Sequence, residues 1–356
     1  MDFERIAHFL FIPTGSSGST GTAFELEPIS HYEQNCFVLI PYQNPQQKET
    51  LVKYYKIKSK EALDLADFKK GLATADKIRF RSRTSKELYL KKIKELKEHI
   101  QQGNIYEINY CIQFFTDAIK INPIAVFLKL HALAKAPYSA LFKSGDEFII
   151  STSPELFLKK TGSQLSTKPI KGTIRRGLSK EEDDALKDEL YHDIKERTEH
   201  VMAVDVARND LSHLATKGSV RVNKLYNIES FETVHQMVST VSCELKDNLS
   251  FEDIVTATFP MASMTGAPKL RAMDLIDAFE DFERKAYSGS MGLVDANGDF
   301  SLWVIIRSIF YDQKKLKLSL SVGGAITYLS EAEKEYDECL LKAKAMLSAL
   351  EAVITD

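Results

Sequence analysis

The stretch Thr167-Lys168-Pro169-Ile170-Lys171-Gly172-Thr173 restricts the fold more than any other. Pro169 fixes its own φ, and Gly172 lets the backbone approach a ligand closely. Apolar runs at 148–151 and 156–158 read as strands before it, with Ser153-Pro154-Glu155 turning between them. An acidic helix follows from near Ser179. The chain must therefore set a constrained bend between strands and a helix, and that bend presents one amine, Lys171. Taken alone, the amine is either a solvated loop lysine or, in an enclosed pocket that lowers its pKa, a nucleophile.

A chain of 356 residues with 44% apolar and 27% charged content is a soluble globular protein with room for a large core. Length suggests two units, an N-terminal part over 1–80 and a main domain over 81–356. The net charge of -3 provides no global field for nucleic acid or anionic lipid. Cys36, Cys111, Cys243 and Cys339 form no CxxC pair, which argues against a zinc site or a disulfide framework. No apolar run approaches membrane-spanning length, and the N-terminus lacks a signal-peptide layout, so the expected compartment is the cytoplasm.

Residues 15–21 read as a flexible loop, and 36–40 and 50–55 as strands joined by Asn44-Pro45-Gln46-Gln47. Thr84 with Glu87 forms a capping box for a helix whose apolar face is Tyr89, Ile93, Leu96 and Ile100, stopped by Gly103. Residues 105–112 alternate as a strand with Glu107 and Asn109 on one face. That face is either a ligand wall or an internal hydrogen-bond network.

Ser179 and Glu182 cap a helix expected to run past Asp205 to Asp210. On it, Glu196 and Glu199 project from one face, with Arg197 and Arg208 placed to neutralise some of their charge. Ser330 with Glu333 caps a last helix, where Glu335 and Glu338 repeat the spacing. Such pairs are ordinarily solvated helix faces, but two of them could converge on a hard cation such as Mg²⁺. His235 lies in a segment entering buried structure, as a bonded core residue or a catalyst. The Gly266-Ala267-Pro268 loop aims free N–H groups from a helix start. Arg307 is placed at a regular position of a hairpin strand, where burial would call for an anion. Residues alone give a mixed α/β enzyme acting on a small polyanion with Mg²⁺.

From about 86 to 352 the chain resembles the chorismate-utilising enzymes. The resemblance rests on nine motifs in order: Gly103-Asn104-Ile105-Tyr106-Glu107-Ile108-Asn109, Ser153-Pro154-Glu155, Pro169-Ile170-Lys171-Gly172-Thr173, Glu199-His200 through Arg208-Asn209-Asp210, Glu232-Thr233-Val234-His235, Thr265-Gly266-Ala267-Pro268-Lys269, Ile306-Arg307-Ser308, Gly323-Gly324, and Glu335-x-x-Glu338. It implies an α+β fold, a four-layer α/β/β/α sandwich of two antiparallel-rich sheets flanked by helices. It further implies that Lys171, where anthranilate synthases carry alanine, marks the branch that makes 4-amino-4-deoxychorismate. There the lysine attacks C2 of chorismate and ammonia then adds at C4, on the route to 4-aminobenzoate and folate.

Carried over by position, Glu199 and Glu338 would ligate Mg²⁺, with Glu196 and Glu335 as direct or water-mediated partners. His235 would be the general acid for the C4 hydroxyl. Arg307 and Tyr287 would bind the enolpyruvyl carboxylate, with Gly172, Thr173, Thr265, Gly324 and Ala325 completing the pocket. Isochorismate and salicylate synthases carry a lysine where Glu107 stands, which counts against water addition at C2. No cysteine sits in an amidotransferase motif, so ammonia is expected from a separate glutamine amidotransferase subunit. No serine-rich tryptophan-site motif is present. Met261-Ala262, Ser301, Trp303, Ala325 and Leu329 depart from the family pattern. The rival expectations are an anthranilate synthase component I and a catalytically degenerate scaffold that binds chorismate or the glutaminase.

Overall fold

The computed structural model describes residues 6–14, 18–46, 51–65, 77–232 and 234–355. Antiparallel pairing runs from Glu107–Thr116 through Lys317–Ile326, Ser308–Asp312, Glu147–Ser153 and Tyr138–Ser144 to His8–Pro13. It continues through Thr20–Ile29, Lys53–Asp64 and Cys36–Ile40 to Ser290–Val294 and Phe300–Val304. From there it passes through Leu156–Thr161 and Gln164–Thr167 to Val234–Glu244. Ile170–Arg175 and Arg221–Ser230 also pair with that last strand. Among the described residues the one parallel pair joins Ala352–Thr355 to Ile78–Ser82.

Seven α-helices lie among the described residues: α1 (Lys86–Gln101), α2 (Pro123–Ala134), α3 (Lys180–His192), α4 (Ile194–Leu214), α5 (Phe251–Thr258), α6 (Lys269–Phe279) and α7 (Ala332–Ala349). Burial shows how they cover the strands. On Cys36–Ile40 every residue is buried, because Cys36, Val38 and Ile40 pack under α4 and α5 while Phe37 and Leu39 point the other way. On His8–Pro13, Phe9 and Phe11 join the core under α1, α2 and α7, and Leu10 meets Phe37, Leu39 and Trp303. Three apolar layers therefore alternate with two layers of strands, as side chains of period two require when both faces are covered. This is the expected α+β sandwich. The strands before residue 80 are hydrogen-bonded into it through His8–Pro13 and Cys36–Ile40.

Several local expectations shift. Ser85, not Thr84, caps α1, accepting from Leu88 N at 3.2 Å; the Thr84 hydroxyl instead donates to Asp281 Oδ2 at 2.7 Å. Gly103 ends α1 at φ +75° as expected. Ser179 does cap α3, but the helix breaks at Asp193, which adopts extended backbone and caps α4 through Glu196 N at 2.8 Å. Glu331, not Ser330, precedes α7, because the Ser330 hydroxyl accepts from Thr327 N. Thr20 and Gly21 belong to a strand rather than a loop, while 15–17, 47–50 and Thr233 lie outside the described residues.

Candidate functional site

Lys171 and Glu107 sit on strands far apart along the sheet, yet Lys171 Nζ donates to Glu107 Oε1 at 2.5 Å. The fold brings them together in two ways. A register shift between Lys171 and Thr173, with Gly172 at φ +71°, bulges the strand and re-aims the amine. Gly266 then lets the loop before α6 pair with Glu107 and Ile108; a Cβ there would stand 2.2 Å from the Glu107 carbonyl oxygen. Both charged side chains are more than nine-tenths enclosed.

Burial works to lower the Lys171 pKa, but Glu107, Glu199 and Glu155 outweigh it and raise the value. The expected fall is therefore not found in the free chain: the enclosed amine is an ammonium, because the pocket that desolvates it is lined with carboxylates.

Glu155, which received no chemical role from the sequence, is buried beside this amine. Burial pushes its carboxyl up to about 7, with Ser263 and Lys171 pulling the other way. Glu155 and Ser263 line a cavity with Thr167, Pro169, Met261 and Ala262, so the Met261-Ala262 departure borders the Lys171 bend. The expected contact at Thr265 is displaced: its hydroxyl donates back to the Met261 and Ala262 carbonyls. Ser263 instead is buried, with its hydroxyl beside the Glu155 carboxyl, whose pKa it helps hold down. Asn109 donates to the Ser263 carbonyl at 2.8 Å, so the Glu107–Asn109 face is an internal network that also lines the site.

His235 lies away from this centre. Its ring is fully buried, with Nδ1 bonded to Ser230 Oγ at 2.9 Å and Nε2 to Asp183 Oδ1 at 2.8 Å. Asp183 also takes both arms of Arg176 and the Gly177 N–H. These bonds fix the segment that follows the Lys171 strand and leave the imidazole no lone pair or proton for a substrate. The expected general acid is thus a structural residue. The next residue, Gln236, alternates to the opposite face and reaches Thr173 Oγ1 at 3.4 Å.

The predicted metal-ligating glutamates lie on α4 and α7, which approach each other where Lys195 lies between Glu199 and Glu335. Glu199 and Glu335 are buried; Glu196 Oε2 and Leu190 lie where a Cβ on Gly172 would press; Glu335 Oε2 stands 3.5 Å from the corresponding point on Gly324. Burial pushes Glu199 up to about 8 despite Lys171 and Lys195, and its Oε1 has no hydrogen-bond partner. Arg197 lies over the Tyr191 and Tyr226 rings and Arg208 pairs with exposed Asp205, so neither neutralises this cluster. Besides Lys171, the cations present are Lys195, 2.8 Å from Glu335 Oε1, and Lys342, 2.6 Å from Glu338 Oε1. As placed, no three acidic, His or Cys side chains among the described residues close on one metal-sized point. The donor set nonetheless suits a hard divalent cation: carboxylate oxygens from two helices, one of them buried and orphaned.

Arg307 is not in a regular strand. At φ +51° it marks the crossover between Phe300–Val304 and Ser308–Asp312, which pair with different neighbours. Its guanidinium donates to the Lys342 carbonyl at 3.2 Å and pairs with no carboxylate within 4 Å among the described residues. Tyr287 beside it is buried with its hydroxyl toward Cys111. The Ala325 carbonyl accepts from Ser330. Trp303 borders a separate cavity with Tyr138 and His131. All four cysteines are buried, which pushes their thiols up to between about 11 and about 12 and removes them as nucleophiles. No helix among the described residues is long and apolar enough to cross a membrane.

Residues 25–348 match the family described as chorismate binding enzyme. Aminodeoxychorismate synthase component 1 of Bacillus subtilis is 39% identical over 259 residues, covering 73% of this chain and 54% of that one. Anthranilate synthase component 1 of Aquifex aeolicus is 36% identical over 272 residues, covering 76% and 54%. The chain thus spans about half the length of these curated relatives. The crystal structure of anthranilate synthase component I from Streptococcus pneumoniae superposes with a TM-score of 0.75 at 23% identity, over 90% of this chain and 82% of that one. The sandwich, the lysine bend and the two glutamate pairs thus have a common source: the chain belongs to the chorismate-binding enzyme family.

Proposed function

We propose that the chain converts chorismate and ammonia to 4-amino-4-deoxychorismate, as the amine-transferring component of an aminodeoxychorismate synthase. The observation that carries this reading is the enclosed Lys171 ammonium with Glu107 at 2.5 Å. Relatives named for either amination product lie at similar identity, so the choice between products rests on this lysine.

With substrate bound beside Lys171, Glu107 takes a proton from the ammonium, and the freed amine forms a bond to C2. The ring diene shifts and the C4 hydroxyl leaves as water. Ammonia then bonds to C4 as the C2–N bond breaks and returns the amine to Lys171. The sum is chorismate plus ammonia giving 4-amino-4-deoxychorismate plus water. Glu155, with its carboxyl near 7 and its place beside Lys171, replaces His235 as the group able to give the leaving hydroxyl a proton. Arg307, a cation without a carboxylate partner, receives a substrate carboxylate. Glu196, Glu199, Glu335 and Glu338 would hold Mg²⁺, which when bound neutralises the second carboxylate and draws charge from the ring. The ammonia comes from a separate glutaminase component.

Purified chain is incubated with chorismate, ammonium and MgCl₂, and the product is identified by absorbance and mass. Accumulation of 4-amino-4-deoxychorismate, lost in Lys171→Ala, is the expected result. Anthranilate as the product would overturn the reading.

A further inference from the structure

Lys195 opens the first turn of α4 and has no part in the chemistry above. Its ammonium stands 2.8 Å from Glu335 Oε1 on α7 and 3.8 Å from Glu199 Oε1 on its own helix. Those are two of the four carboxylates that face a cation, and Glu199 Oε1 is the buried oxygen without a hydrogen bond. We propose that Lys195 is a resident counter-cation, seated where a divalent cation would sit and competing with it for Glu199 and Glu335. This inference rests on the reading that the two-helix cradle takes Mg²⁺.

Three observations support it. The bridging position is the first: the ammonium reaches one carboxylate from each helix of the cradle, Glu335 on α7 and Glu199 on α4. The second is the difference between the two lysines. Lys342 is anchored to Glu338 at 2.6 Å and also to the Gly323 carbonyl at 2.8 Å, whereas the contacts of Lys195 in the cradle are carboxylates alone. The third is access: the Lys195 side chain remains one-third exposed, so it can swing into solvent without burying its charge elsewhere. A divalent ion and an ammonium cannot share Glu199 and Glu335 at these distances without strong repulsion. Entry of the metal therefore expels Lys195 toward solvent.

The test compares wild type, Lys195→Gln and Lys195→Arg by calorimetric titration with MgCl₂ and by thermal unfolding in EDTA and in MgCl₂. Competition predicts that Lys195→Gln binds Mg²⁺ about tenfold more tightly. The same variant should unfold about 2 °C or more lower without metal, and gain more from Mg²⁺ than wild type does. Lys195→Arg should behave as wild type. A lysine with a merely structural role would lower both melting temperatures without tightening the metal. Equal or weaker Mg²⁺ binding by Lys195→Gln, with wild type binding normally, overturns the competition and leaves the metal reading intact. Binding by the variant alone is the strongest support. No binding by any of the three proteins sinks both ideas together.

Discussion

Two buried ion pairs share one strand neighbourhood and differ in how fully they are satisfied. Arg284 gives Nε and Nη2 to the two oxygens of Glu280, at 2.8 and 2.5 Å, and two further N–H groups to the Met264 and Asn109 carbonyls. Glu280 accepts the Cys111 N–H as well, and the Tyr42 ring covers the guanidinium. A few residues along the same strand, Glu107 meets Lys171 through a single hydrogen bond, and the other carboxylates round the amine sit at raised pKa. The first pair is complete and holds the sheet to the segment after α6. The second is incomplete, and its surplus donors and orphan acceptors are what a polar substrate and a cation would satisfy.

Cutting each pair should separate the two roles. Lys171→Ala is expected to lose at least about 10⁴-fold in turnover, the scale seen when a covalent nucleophile is removed. Its cost in stability should be less than half that of Arg284→Met. The carboxylates Glu155 and Glu199, already at about 7 and about 8, can take up protons when the ammonium goes. Arg284→Met strands a buried Glu280 and should cost about 3–5 kcal/mol in urea unfolding. Equal stability losses in the two variants would break the distinction.

How much of this was legible in the sequence follows from how local each signal is. Lys171, the two glutamate pairs, the Gly103 stop and the Ser179 cap depend on neighbours within a few residues, and each stands where the pattern placed it. Which face of a strand a residue occupies depends instead on register, and one bulge or one-residue slip reverses it. The segment around His235 leaves both a bonded core residue and a catalyst open, and it is register that sets the ring against Asp183. A crossover between strand layers looks locally like a continued strand, so the hairpin pattern around Arg307 does not reveal its left-handed backbone. The break at Asp193 was hidden by helical residues on both sides, although an Asp three residues before Glu196 is a recognisable cap. Lys195 could have been found from its spacing of four to Glu199. Ser263 and Glu155 left no local sign of their roles, since what isolates them is burial by distant strands.

The incomplete pair also predicts a pH signature. The Glu155 carboxyl has an ordinary value of 4.5 and is held at about 7 in the folded chain by burial. Between those values the folded state binds the extra proton, so stability falls as pH rises from about 4.5 to about 7 and then levels off. The full difference is on the order of 3 kcal/mol. Glu155→Gln should flatten that part of the stability profile and, if Glu155 gives the leaving hydroxyl its proton, lower turnover by about 10²-fold or more. An unchanged pH profile of unfolding would show that the carboxyl titrates normally and is no part of the under-satisfied set.

The smallest expected effect is at His235, and it sharpens the comparison because the imidazole belongs with the complete pair. His235→Gln removes one of several partners of Asp183, which keeps both arms of Arg176 and the Gly177 N–H. The loss should be about 1–2 kcal/mol of stability, with turnover per folded molecule within about threefold of wild type. A general acid at that position would instead cost 10²- to 10⁴-fold in rate, about one to three orders beyond what the lost bonds explain. A collapse of kcat in a well-folded His235→Gln protein would therefore mean that the strand turns this side chain into the cavity during turnover. The division between satisfied and unsatisfied groups would then hold only for the free chain.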